Sequence, residues 1–306
     1  MYGVKMQEYI VKPQASEGVN PKAVERLPAA EDFFVYHQGA VPQIDSQNYH
    51  LTVKGLVKKA LRLSLEDLRE DFPKVTLTAS LPGVDGGKGF ELAKWGGLRL
   101  RHLLLATGVE ANATHVVFFG LNNGKADGVK VASGGSIPLR KALSPEVLLA
   151  YEMNDEPISP ANGYPLRVIV PGYDGTCSVK WVSEINLFAN VDGDVGEYRP
   201  QPASDNSVNV LISRPQDGET VFDDVVVVEG YAIASNGRLI KRVALSADGG
   251  KNWKDAQIQK SYNPWVWSSW EAHLRSGAPM ILTRPLRHGR KPPTARAMRR
   301  RPLSRF

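Results

Sequence analysis

Arg167, Ser178 and Lys180 flank Pro171-Gly172, where the β-branched run Val168-Ile169-Val170 stops, and Gly175 and Cys177 sit in the same loop. Backbone N–H groups of a glycine-containing turn, a hydroxyl and two cations suit an anionic ligand such as a phosphate. A surface turn with solvated charges would use the same residues, and spacing alone leaves both readings open. Ser133-Gly134-Gly135-Ser136 is a second small-residue run, read as a turn. The six histidines, at 37, 50, 102, 115, 273 and 288, show no His-x-x-x-His or His/Cys pairing, which argues against a protein-ligated zinc. Neither a G-x-S-x-G elbow nor a phosphate-binding P-loop occurs. The single cysteine excludes an internal disulfide framework and a multi-cysteine metal site. Its thiol reads as a small buried apolar group.

These residues need elements to hold them. YHLTVKGLV (49–57) reads as a strand, and Ser64-Leu65-Glu66-Asp67 as a capping box opening a short helix. Val75-Thr76-Leu77-Thr78 alternates as a strand and runs into SLPGVDGGKG, a loop with glycines at 83, 86, 87 and 89. LRLRHLLLATG (98–108) has helical spacing and ends on a C-cap glycine. HVVFFGL (115–121) and VLLAYEM (147–153) read as buried strands, with SIPLRKAL (136–143) a short helix between them. No regular βαβ rhythm appears, so the fold class is α+β. Residues 191–207 read as a linker. After it, VNVLIS (208–213), VVVVEGYAI (225–233), LIKRVALS (239–246) and WKDAQI (253–258) read as strands of a β-sandwich. SADGGKNW (246–253) reads as a hairpin with Asp248 on the turn amides and Trp253 packed beneath. Beyond Trp270-Glu271-Ala272 the alternation stops. The expected division is 1–195, then a truncated sandwich at 196–275, then a basic tail at 276–306 that is disordered or translated out of frame and cannot finish a sheet.

The 306 residues, 42% apolar, suffice for one large domain or two. The net charge of +6 is concentrated at the end. Residues 281–306 hold nine Arg or Lys and no acid, so the remainder carries 29 basic against 32 acidic residues. Basicity is therefore poor support for nucleic-acid binding by the folded part. No stretch approaches the roughly 18 apolar residues of a membrane span, and the start lacks an apolar signal core. The expectation is a soluble intracellular protein, in the cytosol or an organelle.

NGYPLRVIVPGYDGTCSVKWVSEINL resembles the molybdopterin-binding stretch of the sulfite oxidase family. SGGSIPLRKALSPEVLLAYEMNDEPISPANGYPLR upstream, KWGGLRLRHLL, and SADGGKNW with its preceding strands are similar to other parts of that family, and the resemblance covers about residues 30 to 272. It implies a mixed molybdopterin-binding domain followed by an immunoglobulin-like β-sandwich that dimerises. It also implies a molybdenum atom on a pterin dithiolene, completed by a protein thiolate, a soft ligand suited to such a metal. The implied reaction oxidises sulfite, or a similar small anion, to sulfate by oxygen transfer. No haem-domain motif occurs in this chain, which implies a separate electron acceptor.

Carried over residue by residue, the resemblance places the pterin contacts on Phe34, Val35, Tyr36, His37, Gln38, Asn122, Asn162, Arg167, Ser178, Val179 and Lys180. Departures are concentrated on the metal side. The family's cysteine ligand falls on Ala79, within Leu77-Thr78-Ala79-Ser80-Leu81-Pro82, and its following Asn-Arg-Arg is gone. The substrate-site arginine falls on Tyr36, the histidine before Gly163 becomes Asn162, and another arginine becomes Cys177. Tyr198, in GEYRP, stands for the family's tyrosine near the linker, with Tyr36 the other catalytic candidate. Cys177 is the remaining candidate thiolate. The implied function is a sulfite oxidase-like enzyme with an impaired or altered active site, the alternative being an inactive paralogue that keeps pterin binding and dimerisation.

Overall fold

The structure is a computed structural model that describes residues 40–82, 90–126, 129–173, 175–189, 208–215, 220–221, 225–234, 237–247, 250–259, 261–275 and 280–281. It is mostly sheet with a few short helices. In chain order the first part runs β1 (His50–Gly55), β2 (Leu61–Ser64), α1 (Leu65–Glu70), β3 (Lys74–Pro82), β4 (Phe90–Arg99) and α2 (Leu100–Thr107). It continues with β5 (His115–Ala126), β6 (Val129–Pro138), α3 (Leu139–Ala142), β7 (Leu148–Met153), β8 (Glu156–Pro157), β9 (Arg167–Ile169) and β10 (Val182–Phe188).

Local chemistry sets the helix ends. The Ser64 hydroxyl accepts the Asp67 amide while the Asp67 carboxylate accepts the Ser64 N–H, a reciprocal capping box. Helix α2 stops at Gly108, whose φ of +67° is the left-handed cap that only glycine adopts easily.

Two sheets build this part. One has the order β2-β1-β10-β5-β6, with β1 parallel to β10 and the other pairs antiparallel. The other has the order β3-β4-β7-β8, with β9 also on β7. Strand β7 is apolar on both faces because both are covered. Leu149 and Tyr151 face the larger core with α1, α2 and the first sheet, whereas Leu148, Ala150 and Met153 face a second cluster with Ala79, Leu81, Ala93 and Trp95. Strand β9 divides the same way, Val168 inward to the larger core and Ile169 to the second cluster.

The later part is β-strand only among the described residues. It comprises β11 (Val208–Arg214), β12 (Thr220–Val221), β13 (Val225–Ala234), β14 (Ala244–Leu245), β15 (Lys254–Asp255), β16 (Gln257–Ile258), β17 (Ser268–Arg275) and β18 (Met280–Ile281). The main sheet is ordered β11-β13-β17-β16. Strand β13 alternates as a half-buried strand must, with Val226 and Val228 packed on Trp270, Ala272 and Leu274 while Val225 and Val227 face outward.

Several expectations need correction. The helix expected at 136–143 is only Leu139–Ala142, because Ser136, Ile137 and Pro138 pair with β5. The strand expected at 239–246 is reduced to Ala244–Leu245, and that at 253–258 is split, because the Ala256 N–H turns to Val243 O. Trp253 lies against Gly250 of the hairpin, its indole donating to Gly250 O while Ser246 Oγ accepts the Gly250 amide, but the ring is half-exposed rather than buried; Asp248 lies outside the described residues. Alternation does not stop at Ala272. Strand β17 runs to Arg275, and Met280–Ile281 pairs with Thr220–Val221, so the segment after 275 does add to a sheet.

Candidate cofactor-binding site

The chain reaches the site twice, through β9 and again just before β10. Val168 N–H donates to Val179 O and Val182 N–H to Leu166 O, so the two passes run side by side. Between them the Pro171-Gly172 turn (Gly172 φ +78°) and a single 3-10 turn, Gly175–Cys177, carry the chain round. The loop geometry breaks the ladder at Val170, whose N–H is taken instead by Ser178 Oγ at 3.1 Å.

Arg167 is buried and wedged between three groups. Its guanidinium lies 5.1 Å from the Trp95 ring centre, a cation–π distance. Its Nη1 donates to Asn162 O at 3.1 Å and its Nε to Ser178 O at 3.4 Å. Lys180 Nζ donates to Ala161 O at 2.8 Å, and Trp181 Nε1 to Pro160 O at 2.7 Å. Three neighbouring carbonyls of the turn Pro160–Asn162 thus each receive a different side chain. Gly163 follows with φ +118°. A β carbon there would sit 3.1 Å from Lys180 Cβ and 3.3 Å from Arg167 Cβ. Only glycine lets the two cationic side chains start so close to the turn.

Of the residues expected to hold an anion, the structure brings Arg167 and Lys180 onto one turn with Asn162 and Gly163. Ser178 contributes its carbonyl to Arg167, but its hydroxyl is turned toward Val170. Val179 packs into the larger core. Asn122 lies in β5 next to Leu121, whose N–H donates to Trp181 O, and its own side chain is outside the described part. Phe34, Val35, Tyr36, His37, Gln38 and Tyr198 lie outside the described residues.

The metal side differs. Ala79 is fully buried opposite Ala93, and β3 continues past it to Pro82. Its neighbourhood is closed by the later part of the chain. Ser80 N–H donates to Trp265 O and Asn263 Nδ2 to Thr78 O, both at 2.8 Å, and Trp265 packs on the Ala79 cluster. Cys177 has no exposed surface and belongs to the larger core, with Sγ 3.9 Å from Ser136 O. Ala79 and Cys177 therefore fall in separate clusters. Among the described residues no group of three His, Cys, Asp or Glu is placed to hold a metal.

Tested against a molybdenum-pterin group, this donor set fits one end only. Two cations and a glycine at the turn suit the anionic end, and an ammonium with three N–H donors and a guanidinium with five can serve a carbonyl and an anion together. At the metal end no residue from β3 through Gly89 offers a thiolate.

Trp95, Gly163 and Trp181 are site residues that the sequence does not mark. Trp181 stands directly after Lys180, and Trp95 lies in KWGG, but nothing in their spacing says that one holds the turn and the other the guanidinium. Lys141 is likewise unmarked. That ammonium is buried, 2.5 Å from Glu146 Oε1, and lies 5.3 Å from the Tyr173 ring and 4.7 Å from the Trp265 ring.

Comparison with known proteins gives matches over both parts. Residues 38–193 match the family described as "Oxidoreductase molybdopterin binding domain", and residues 201–278 match "Mo-co oxidoreductase dimerisation domain". The chain is 35% identical to the mitochondrial sulfite oxidase of Rattus norvegicus over 288 residues, covering 79% of this chain and 52% of the relative. It is 32% identical to the sulfite oxidase of Arabidopsis thaliana over 302 residues, covering 79% of this chain and 75% of that protein. Among solved structures, the sulfane dehydrogenase SoxCD of Paracoccus pantotrophus superimposes with a TM-score of 0.64 at 25% identity, covering 79% of this chain and 67% of that one. The chain spans about half the length of the rat relative. No helix among the described residues is long and apolar enough to cross a membrane.

Proposed function

Because the chain belongs to the sulfite oxidase family of molybdopterin-binding oxidoreductases, we propose that it is a molybdopterin-dependent oxidoreductase of sulfite-oxidase type with an altered metal face. Its first part is then the mixed cofactor-binding domain, and its later part an immunoglobulin-like sandwich through which two copies pair. The substrate class is sulfite or a similar small anion, electrons pass to a separate acceptor, and the protein works in solution inside the cell.

One observation carries the reading. Arg167 and Lys180 reach neighbouring carbonyls of one turn, beside a glycine that admits no side chain. Two cations fixed that close create a positive locus, and burial strengthens it by excluding the water that would screen it. Arg167 is further oriented by the Trp95 face, so its fork meets an incoming phosphate in one plane. Asn162 and Gly163 shape the approach, since a larger residue at 163 would push both cations away.

The alternative, a paralogue that binds pterin and dimerises without turnover, is favoured by the β3 strand. Ala79 faces a closed apolar cluster, and Trp265 and Asn263 occupy the strand's outer edge. One experiment separates the two. The full chain, purified without air, is assayed for sulfite-dependent reduction of an artificial acceptor and for bound pterin and molybdenum. Turnover with both bound supports the enzyme, and pterin without turnover supports the paralogue. A chain with no pterin rejects both.

A further inference from the structure

Trp181 has a φ of +52°, a left-handed conformation that bulky L-residues avoid. Ordinary strand geometry sends the side chains of two successive residues to opposite faces. The left-handed residue breaks that alternation, so Lys180 and Trp181 both reach the Pro160–Asn162 turn. The conformation is held at each end, by Trp181 N–H on Gly163 O and by Leu121 N–H on Trp181 O, around a buried ring. A sparsely populated backbone state persists only where its surroundings over-determine it, and such residues gather at ligand clamps.

We propose that Trp181 is a positioning residue: its indole N–H fixes the Pro160–Asn162 turn, and the turn in its place sets where Arg167 and Lys180 stand toward the anionic end of the pterin. This deepens the reading above and rests on it. Trp181 acts through the turn and through Lys180, whose Nζ lies 5.7 Å from the Trp181 ring centre, so its loss disturbs recognition of the phosphate and leaves recognition of the pterin ring system alone.

The test compares molybdopterin with its dephosphorylated form. Binding of each to the full chain stripped of cofactor is followed by pterin fluorescence under anaerobic conditions. The wild-type chain prefers the phosphorylated form. Trp181→Phe keeps an aromatic face but removes the indole donor, so affinity for the phosphorylated form falls about tenfold, as expected for one buried hydrogen bond, with the dephosphorylated form unchanged within about twofold. Pro160→Gly loosens the same turn at an exposed position and gives the same selective loss, which decides the matter should Trp181→Phe fail to fold. An equal loss on both ligands, or none on either, overturns the role of Trp181 while leaving the anion site standing. A wild-type chain that binds both forms equally, or neither, overturns the anion site and the positioning role with it.

Discussion

The Lys141 ammonium sits 4.7 Å from the centre of the Trp265 ring, so a cation from the cofactor-binding part meets an aromatic residue from the part matched as a dimerisation domain. The same ammonium pairs with Glu146 and faces Tyr173, which lies in the loop leading to Cys177, Ser178 and Lys180. Burial holds Lys141 below the ordinary lysine value, while Glu146 pulls the other way.

Removing the cation alone strands a part-buried carboxylate whose side chain is 14% exposed. Lys141→Met is therefore expected to cost about 3 kcal/mol, and Lys141→Met with Glu146→Leu to recover most of it. Denaturant unfolding of both variants checks this. A double variant no more stable than Lys141→Met would contradict the stranded-carboxylate account, and Glu146→Leu alone completes the cycle that measures the coupling. The wild type should also gain stability as pH rises from the lowered folded value toward the ordinary one, because the unfolded chain binds more protons there. That rise should be absent in Lys141→Met.

The capping box gives a second pH signature. Hydrogen bonds from the Ser64 backbone and hydroxyl hold Asp67 below its ordinary carboxylate value. A depressed carboxylate contributes stability that is present above the unfolded value and lost as pH falls through the folded one. Asp67→Asn should flatten the acid limb of the stability profile and leave neutral-pH pterin content unchanged. Ser64→Ala should cost about 1 kcal/mol at neutral pH, typical for a lost cap. Thermal melts between acid and neutral pH measure both.

Cys177 is expected to behave as a core thiol. Cys177→Ala should leave bound pterin and any bound molybdenum at wild-type levels. Cys177→Ser, which buries a hydroxyl in the larger core, should lower stability by about 1–3 kcal/mol. Loss of molybdenum from Cys177→Ala, with pterin retained, would instead make this sulfur a ligand.

What the sequence disclosed was local. Ser64-x-x-Asp67 and Gly108 announce their helix ends because cap chemistry is decided within a few residues. Strands β5, β7 and β13 announce themselves by length and by apolar runs or alternation. Long-range pairings were hidden. Thr220–Val221 meets Met280–Ile281 through two-residue strands too short to show a period. Residues 239–243 look β-rich but form no strand among the described residues, where Val243 O accepts the Ala256 N–H and Ala244–Leu245 pairs with Lys254–Asp255. At the site, the cations, hydroxyl and glycines around Pro171-Gly172 suggested an anion. That Arg167 and Lys180 would close on the Pro160–Asn162 turn was not legible, because no local spacing brings Lys180 back onto Ala161, 19 residues earlier. Docking of Trp265 against Ser80 and Lys141 has no sequence pattern at all.

The most direct measurement is pterin per chain in the 306-residue chain and in its Arg167→Met/Lys180→Met variant, purified side by side without air and compared at equal folded content by circular dichroism. The account predicts close to one pterin per wild-type chain and almost none in the folded double variant. A wild-type chain without pterin, or a folded double variant that keeps it, would contradict the assignment of these two cations to the anionic end of the cofactor.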